Sequence, residues 1–246
     1  MAQVLLLPGL GDTELVFRPW MADLAARGLT AKFIDTDNNG TFEDRVAALT
    51  RALQKELEPV WVIGHSAGGL ATLVAALSEE CRKNIRGIIL VSPAIPQNVR
   101  GVWGALGWPL AKVMWKYEPW MILGRSFLPS EGDYRRVALN HVPAEVADEI
   151  AATRRRISGK EAAQLAAFFS RPRFTGEFNL PIVVVTGAED QWVNPDAHLD
   201  LVIYLTSHNT GPTKFCPVPC AGHLVAHSKN GAQIVRESLD WLLAQT

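Results

Sequence analysis

Cysteine is scarce in this chain: 246 residues hold three, Cys81, Cys216 and Cys220. A small odd number supports no disulfide framework. The C-P-V-P-C spacing of Cys216 and Cys220 has too few partners nearby for a metal, so these two are read as buried or semi-buried thiols. Long apolar runs are missing too. The first run, Val4–Leu7, ends at Pro8-Gly9 and is too short for the core of a signal peptide. Nothing approaches the roughly 18 residues of a membrane span, so no integral membrane segment is expected and the cytoplasm is the default compartment. Nor does charge of one sign dominate. Lys and Arg number 24 against 25 Asp and Glu, a formal net charge of −1. That excludes binding to nucleic acid or an anionic membrane through charge alone. Internal repeats and low-complexity segments are absent as well.

What is present is an ordinary globular balance, 48% hydrophobic and 20% charged, in a length that suits one α/β domain. Short β-branched apolar runs recur at Val4–Leu7, Ala31–Ile34, Val60–Ile63, Gly87–Val91, Ile182–Thr186 and Lys214–Val218. Most lack alternation, which fits strands covered on both faces, as in a parallel sheet. Helix-period stretches lie between them: Leu15–Arg27, Phe42–Leu57, Gly68–Glu80, Pro195–Thr206 and Gly231–Ala244. Thr41 is placed to cap the second, with Glu43 and Asp44 in its first turn, where the helix dipole favours acids. Alternating strands and helices predict an α/β fold with a mainly parallel sheet of about six strands.

One interval breaks the rhythm. About 90 residues separate the strand ending near Ser92 from the one starting at Ile182, far more than a bare crossover needs. It carries Trp103, Trp108, Trp115 and Trp120, half of the eight tryptophans, and helix-like pieces at Ala144–Arg156 and Lys160–Ser170. Residues 96–159 are read as an inserted helical cap on a core made of 1–95 and 160–246. The triplet Arg154-Arg155-Arg156 falls in a helical pattern and is read as a solvated face rather than an anion site.

The stretch VIGHSAGGL, Val62–Leu70, bears the chemistry. G-H-S-A-G, from Gly64 to Gly68, matches the G-x-S-x-G nucleophile elbow, and it lies between a predicted strand and a predicted helix as that motif requires. A serine on such a sharp turn projects its hydroxyl outward, and bulky residues two positions away would collide with it. G-H-S-A-G-G behind a short apolar strand resembles the α/β-hydrolase superfamily, and the resemblance extends over nearly the whole chain. It implies an α/β-hydrolase sandwich whose N-terminal edge strands are missing, with Ser66 as nucleophile.

The resemblance also implies the chain order Ser, acid, His. PIVVVTGAEDQWVNP, Pro181–Pro195, resembles the family's acid-bearing strand and loop; the acid is assigned to Asp190, with Glu189 as competitor. His223, in C-A-G-H-L after the last predicted strand, holds the family's base position, with His227 as alternative. His65 sits in the elbow and cannot turn onto the serine. Backbone N–H groups of Ala67 and Leu10 are assigned to the oxyanion hole. Leu10 lies in L-P-G-L-G-D, which resembles the family's H-G-x-x-G turn with Pro8 where histidine usually stands.

The implied reaction is ester hydrolysis through an acyl-enzyme, without metal or organic cofactor. The apolar cap, with Met114, Met121, Ile122, Leu123 and Phe127 beside its tryptophans, points to a small hydrophobic ester or thioester carrying an acyl or aromatic group. Trp103, Trp115, Trp120, Trp192 and Leu224 are the candidate substrate contacts. Thioesterase, lactonase or monoacylglycerol lipase activity, C–C bond hydrolysis, and a non-catalytic binding protein on the same fold are the alternatives.

Overall fold

The computed structural model describes residues 3–37, 39–99, 108–166 and 176–245. Six strands form one sheet: β1 (Gln3–Leu7), β2 (Thr30–Phe33), β3 (Val60–His65), β4 (Ile85–Val91), β5 (Ile182–Gly187) and β6 (Thr213–Val218). Every pairing is parallel, in the order β2-β1-β3-β4-β5-β6. The runs lack alternation for a visible reason. Leu5, Leu7, Val62, Ile88, Leu90 and Val184 point into one core, and Val4, Leu6, Ile63, Ile89, Val183 and Val185 into another. The four central strands, β1, β3, β4 and β5, are therefore apolar on both faces, while the edge strands β2 and β6 are partly exposed.

Helices α2 (Phe42–Leu53), α3 (Ala67–Leu77) and α9 (Pro195–His208) cover the first face through Phe42, Leu49, Leu70, Leu201 and Leu205. Helices α1 (Arg18–Ala26) and α10 (Gly231–Leu243) cover the second through Trp20, Leu24, Leu239 and Leu242. Thr41 caps α2: its side chain accepts the Asp44 N–H, and the Asp44 carboxylate accepts the Thr41 N–H at 2.7 Å. The stretch expected to be helical over Gly68–Glu80 breaks at Ser78, whose extended backbone separates α3 from the short α4 (Glu79–Arg82).

The long interval holds α5 (Trp108–Ile122), α6 (Glu131–Ala138), α7 (Ala144–Ala152) and α8 (Gly159–Ala166). The sequence pattern marks neither of the first two as a helix; α5 carries Pro119 in its interior, a residue that usually ends a helix. The expected helix Ala144–Arg156 stops at Ala152. Beyond it, the arginine triplet leaves the helix and bonds to the protein. Arg154 donates to the carbonyls of Ala151 and Pro129, Arg155 to Asp35, and Arg156 to the Ser126 carbonyl. An antiparallel bridge between Phe127 and Ile157 closes this region, and α8 packs on both α5 and α2. No helix among the described residues is long and apolar enough to cross a membrane.

Candidate active site

Strand β3 ends at His65, and α3 begins at Ala67, so one residue makes the turn. That residue, Ser66, has φ 53° and ψ −120°. A left-handed backbone at a non-glycine costs on the order of 1–3 kcal/mol and persists only where the surroundings fix it. Here they do: the Ser66 N–H donates to the Val91 carbonyl at 2.9 Å, and its own carbonyl accepts from Gly69 and Ala94, each at 2.9 Å. The flanking glycines are needed for close approach. A Cβ on Gly64 would lie 2.7 Å from the Gly68 carbonyl oxygen, and one on Gly68 would lie 2.2 Å from that of Leu7. Gly68 thus lets α3 press against the end of β1, rather than only making room for the serine.

The acid and base arrive from the ends of β5 and β6. Gly187 closes β5, and a Cβ there would lie 2.2 Å from the Gly222 carbonyl oxygen, so the two loops touch directly. His223 Nδ1 lies 2.8 Å from Asp190 Oδ2, and both residues are buried. The other carboxylate oxygen of Asp190 accepts the N–H groups of Trp192 at 2.7 Å and Val193 at 3.0 Å. Burial alone would raise the Asp190 pKa. The His223 charge and hydrogen bond, with the Val193 N–H, outweigh it and hold the carboxyl below its usual value. With Nδ1–H directed at Asp190, Nε2 of His223 is left to accept a proton. Among the described residues, neither that Nε2 nor Ser66 Oγ has a hydrogen-bond partner in the protein.

The competitors are placed elsewhere. Glu189 pairs with His141 at 2.8 Å near the surface. His227 Nε2 faces the carbonyls of Leu15 and Val16, each at 3.1 Å. It is His223 and Asp190 that meet.

A cavity with about 520 Å³ of empty space, its open mouth included, has Ser66, Leu10, Ile95, Leu110, Met114 and Trp192 on its walls. Apart from Ser66, all the described residues lining it are apolar. The Trp192 ring also stacks on His223, with centroids 5.4 Å apart and planes 17° apart. The Leu10 N–H has no protein acceptor among the described residues, and Ala67 opens α3.

The other expected substrate contacts fare differently. Trp115 is 77% exposed and Trp120 43% exposed, and neither lines the cavity. α5 instead presents Leu110 and Met114 to it. Leu224 is buried but faces a separate small cavity beside Val16, Trp20 and His65. Trp103 lies outside the described residues.

Two buried ionic pairs went unnoticed in the sequence. His65 Nδ1 lies 2.6 Å from Asp12 Oδ2, and its Nε2 faces the His223 carbonyl at 3.3 Å. Burial works against both charges. The mutual attraction and hydrogen bond outweigh it, leaving Asp12 below and His65 above their ordinary values. Arg45 and Glu161 form the second pair, with two hydrogen bonds of 2.5 and 2.8 Å. The only signals in sequence were an aspartate closing P-G-L-G-D and single charges within helical patterns. Of the two cysteines expected to be buried or semi-buried, Cys216 is buried but Cys220 is exposed, on the turn after β6. Among the described residues, no group of three or more His, Cys, Asp or Glu side chains could hold a metal ion.

Solved structures share this fold. The Paleococcus ferrophilus monoacylglycerol lipase is 19% identical, with a TM-score of 0.71, over 99% of this chain and 95% of that one. Polyneuridine aldehyde esterase is 17% identical, with a TM-score of 0.67, over 99% and 98%. The methylesterase protein MES16 from Arabidopsis is 14% identical, with a TM-score of 0.68, over 99% and 100%. At such identities the likeness shows the fold. No curated protein matches this sequence. The family model described as "Alpha/beta hydrolase family" matches residues 4–237, from the first strand to the last helix, and so this chain belongs to the alpha/beta hydrolase family.

Proposed function

We propose that this chain is a serine hydrolase cleaving ester-type bonds in small apolar substrates. Ser66 is the nucleophile, His223 the base and acid, and Asp190 the carboxylate that orients the imidazole. One observation carries the reading: a strained serine stands in the wall of an apolar cavity, and another wall, Trp192, lies flat on a buried His–Asp pair.

The chemistry follows from the geometry. Nε2 of His223 takes the Ser66 proton as Oγ attacks the substrate carbonyl, and the resulting imidazolium is stabilised by Asp190. The negative oxygen is held by the N–H groups of Leu10 and Ala67, the latter helped by the positive end of α3. His223 then protonates the departing alcohol. Water, activated by the same imidazole, releases the acid from the acyl-serine. Helices α5 to α8 act as the cap: Leu110, Met114, Ala162 and Leu165 close the cavity over the serine. An almost wholly apolar wall favours a hydrophobic acyl or aromatic group. The named neighbours, an esterase, a methylesterase and a monoacylglycerol lipase, agree with an ester substrate.

The test is hydrolysis of p-nitrophenyl esters of increasing chain length, beside thioesters and lactones, by wild type and Ser66→Ala. Wild type should favour apolar acyl esters, and Ser66→Ala should lose roughly four or more orders of magnitude in kcat. Retained activity in Ser66→Ala would sink the nucleophile assignment. A wild type that turns over none of these yet binds an apolar ligand tightly would replace hydrolysis with a binding function.

A further inference from the structure

The Leu10 N–H can serve an oxyanion only if its loop is held still. Pro8 and Gly9 precede it, and the carbonyl of Pro8 and the N–H of Gly9 belong to one planar peptide unit, pointing opposite ways. Both ends of that unit are gripped by buried charges. Arg45, on α2, donates from Nη1 to the Pro8 carbonyl at 2.6 Å. Asp12 accepts the Gly9 N–H at 2.8 Å. Each gripping residue is itself held. Glu161 accepts from Nε and Nη2 along another edge of the Arg45 guanidinium, and the two side chains are 4% and 2% exposed. His65, next to the nucleophile, binds Asp12. Gly9 lies so close to the elbow that a Cβ would sit 2.7 Å from Ser66 Cβ. Glu161 belongs to α8, whose next residue, Ala162, lines the cavity.

We propose that Arg45 and Asp12, braced by Glu161 and His65, clamp the Pro8–Gly9 peptide and thereby set the direction of the Leu10 N–H. Arg45 and Glu161 are positioning residues for the oxyanion hole, and through Glu161 the helix that walls the substrate cavity is tied to that hole. A peptide free to rotate would turn the donor away from the developing charge. A donor matters most in the transition state, so its misplacement lowers kcat more than it raises KM. The catalytic part of the inference rests on reading Leu10 as an oxyanion donor.

Arg45→Lys separates the clamp from a plain ion pair. A lysine keeps the charge facing Glu161 but lacks the planar fork that reaches Glu161 and Pro8 together. The variant should fold, keep KM within about threefold, and lose on the order of tenfold to a hundredfold in kcat. Exchange of the Gly9 amide with solvent should quicken by about tenfold or more. If Arg45→Lys does not fold, Arg45→Met with Glu161→Met, which removes both buried charges, gives the same two readouts. Unchanged kcat, a loss confined to KM, or unchanged Gly9 exchange would overturn the clamp. If wild type and Ser66→Ala prove equally inactive, the hydrolase reading fails by itself, and Gly9 exchange still decides whether the clamp exists.

Discussion

Two buried histidine–aspartate pairs lie side by side at the carboxyl ends of the strands, their rings 4.8 Å apart. Asp190–His223 bridges the loops after β5 and β6. Asp12–His65 bridges the loop after β1 and the elbow after β3. Their contacts are nearly the same, 2.8 and 2.6 Å. They differ in what the second ring nitrogen faces. Nε2 of His65 is directed at the His223 carbonyl, whereas Nε2 of His223 has no protein partner among the described residues. In the proposed mechanism, pairing with a carboxylate is therefore not what makes His223 the base rather than His65. A base also needs its remaining nitrogen open to a proton from the substrate side.

The comparison breaks most sharply under substitution. Asp190→Asn should cost roughly four orders of magnitude in kcat, because an amide no longer holds the imidazole in the required tautomer. Asp12→Asn should cost no more than about a hundredfold, with its main effect on folding. Leaving His65 without its carboxylate should destabilise the protein by about 3 kcal/mol. Steady-state kinetics and denaturant unfolding of both variants measure the contrast. Equal kinetic losses would put both pairs in the chemistry.

His198 is buried, its Nε2 3.1 Å from the Pro93 carbonyl, and burial pulls its pKa down to about 4 despite nearby Asp190. Unfolded, the ring titrates near its ordinary 6.5. The folded value is depressed, so this contribution to stability is complete above pH 6.5. It is lost as the pH falls toward 4, by about 3 kcal/mol. The Asp12–His65 pair behaves differently. Asp12 lies below 3.8 and His65 above 6.5. Their contribution holds from about pH 3.8 to 6.5, fading below that window as Asp12 protonates and above it as His65 loses its proton. Unfolding between pH 4 and 7 should show a falling acid limb that His198→Gln flattens. A limb unchanged in that variant would assign the acid loss elsewhere.

The smallest expected effects are those at Trp192, on the loop after β5, and at Trp115, on α5. Trp192→Ala removes a cavity wall and the ring lying on His223, and should raise KM about tenfold for an apolar ester. Trp115→Ser, at an exposed position, should change KM by less than about twofold and stability by at most about 0.5 kcal/mol. Comparable KM changes in the two variants would return Trp115 to the substrate path.

The sequence determined the central strands β1, β3, β4 and β5, because residues buried on both faces of a parallel sheet must be apolar at every position, and such runs stand out. It also determined the elbow, since only glycines tolerate the close approaches around Ser66. The long interval between β4 and β5 is less legible: Pro119 obscures α5, and the helix expected to run through Arg156 stops at Ala152, where Arg154 and Arg156 turn to bond carbonyls. Tertiary structure shows which carboxylate meets which histidine: past β5, Asp190 is directed at His223 and adjacent Glu189 at His141. It alone decided that Trp192 rather than Trp115 faces the cavity, and that Arg45, Asp12, His65 and Glu161 converge on one peptide. Those four residues are 149 positions apart at their extremes (161 − 12). Sequence periodicity reports which face of an element is buried. It does not report which buried charge on one element meets which on another, because that depends on how the loops and helices pack together.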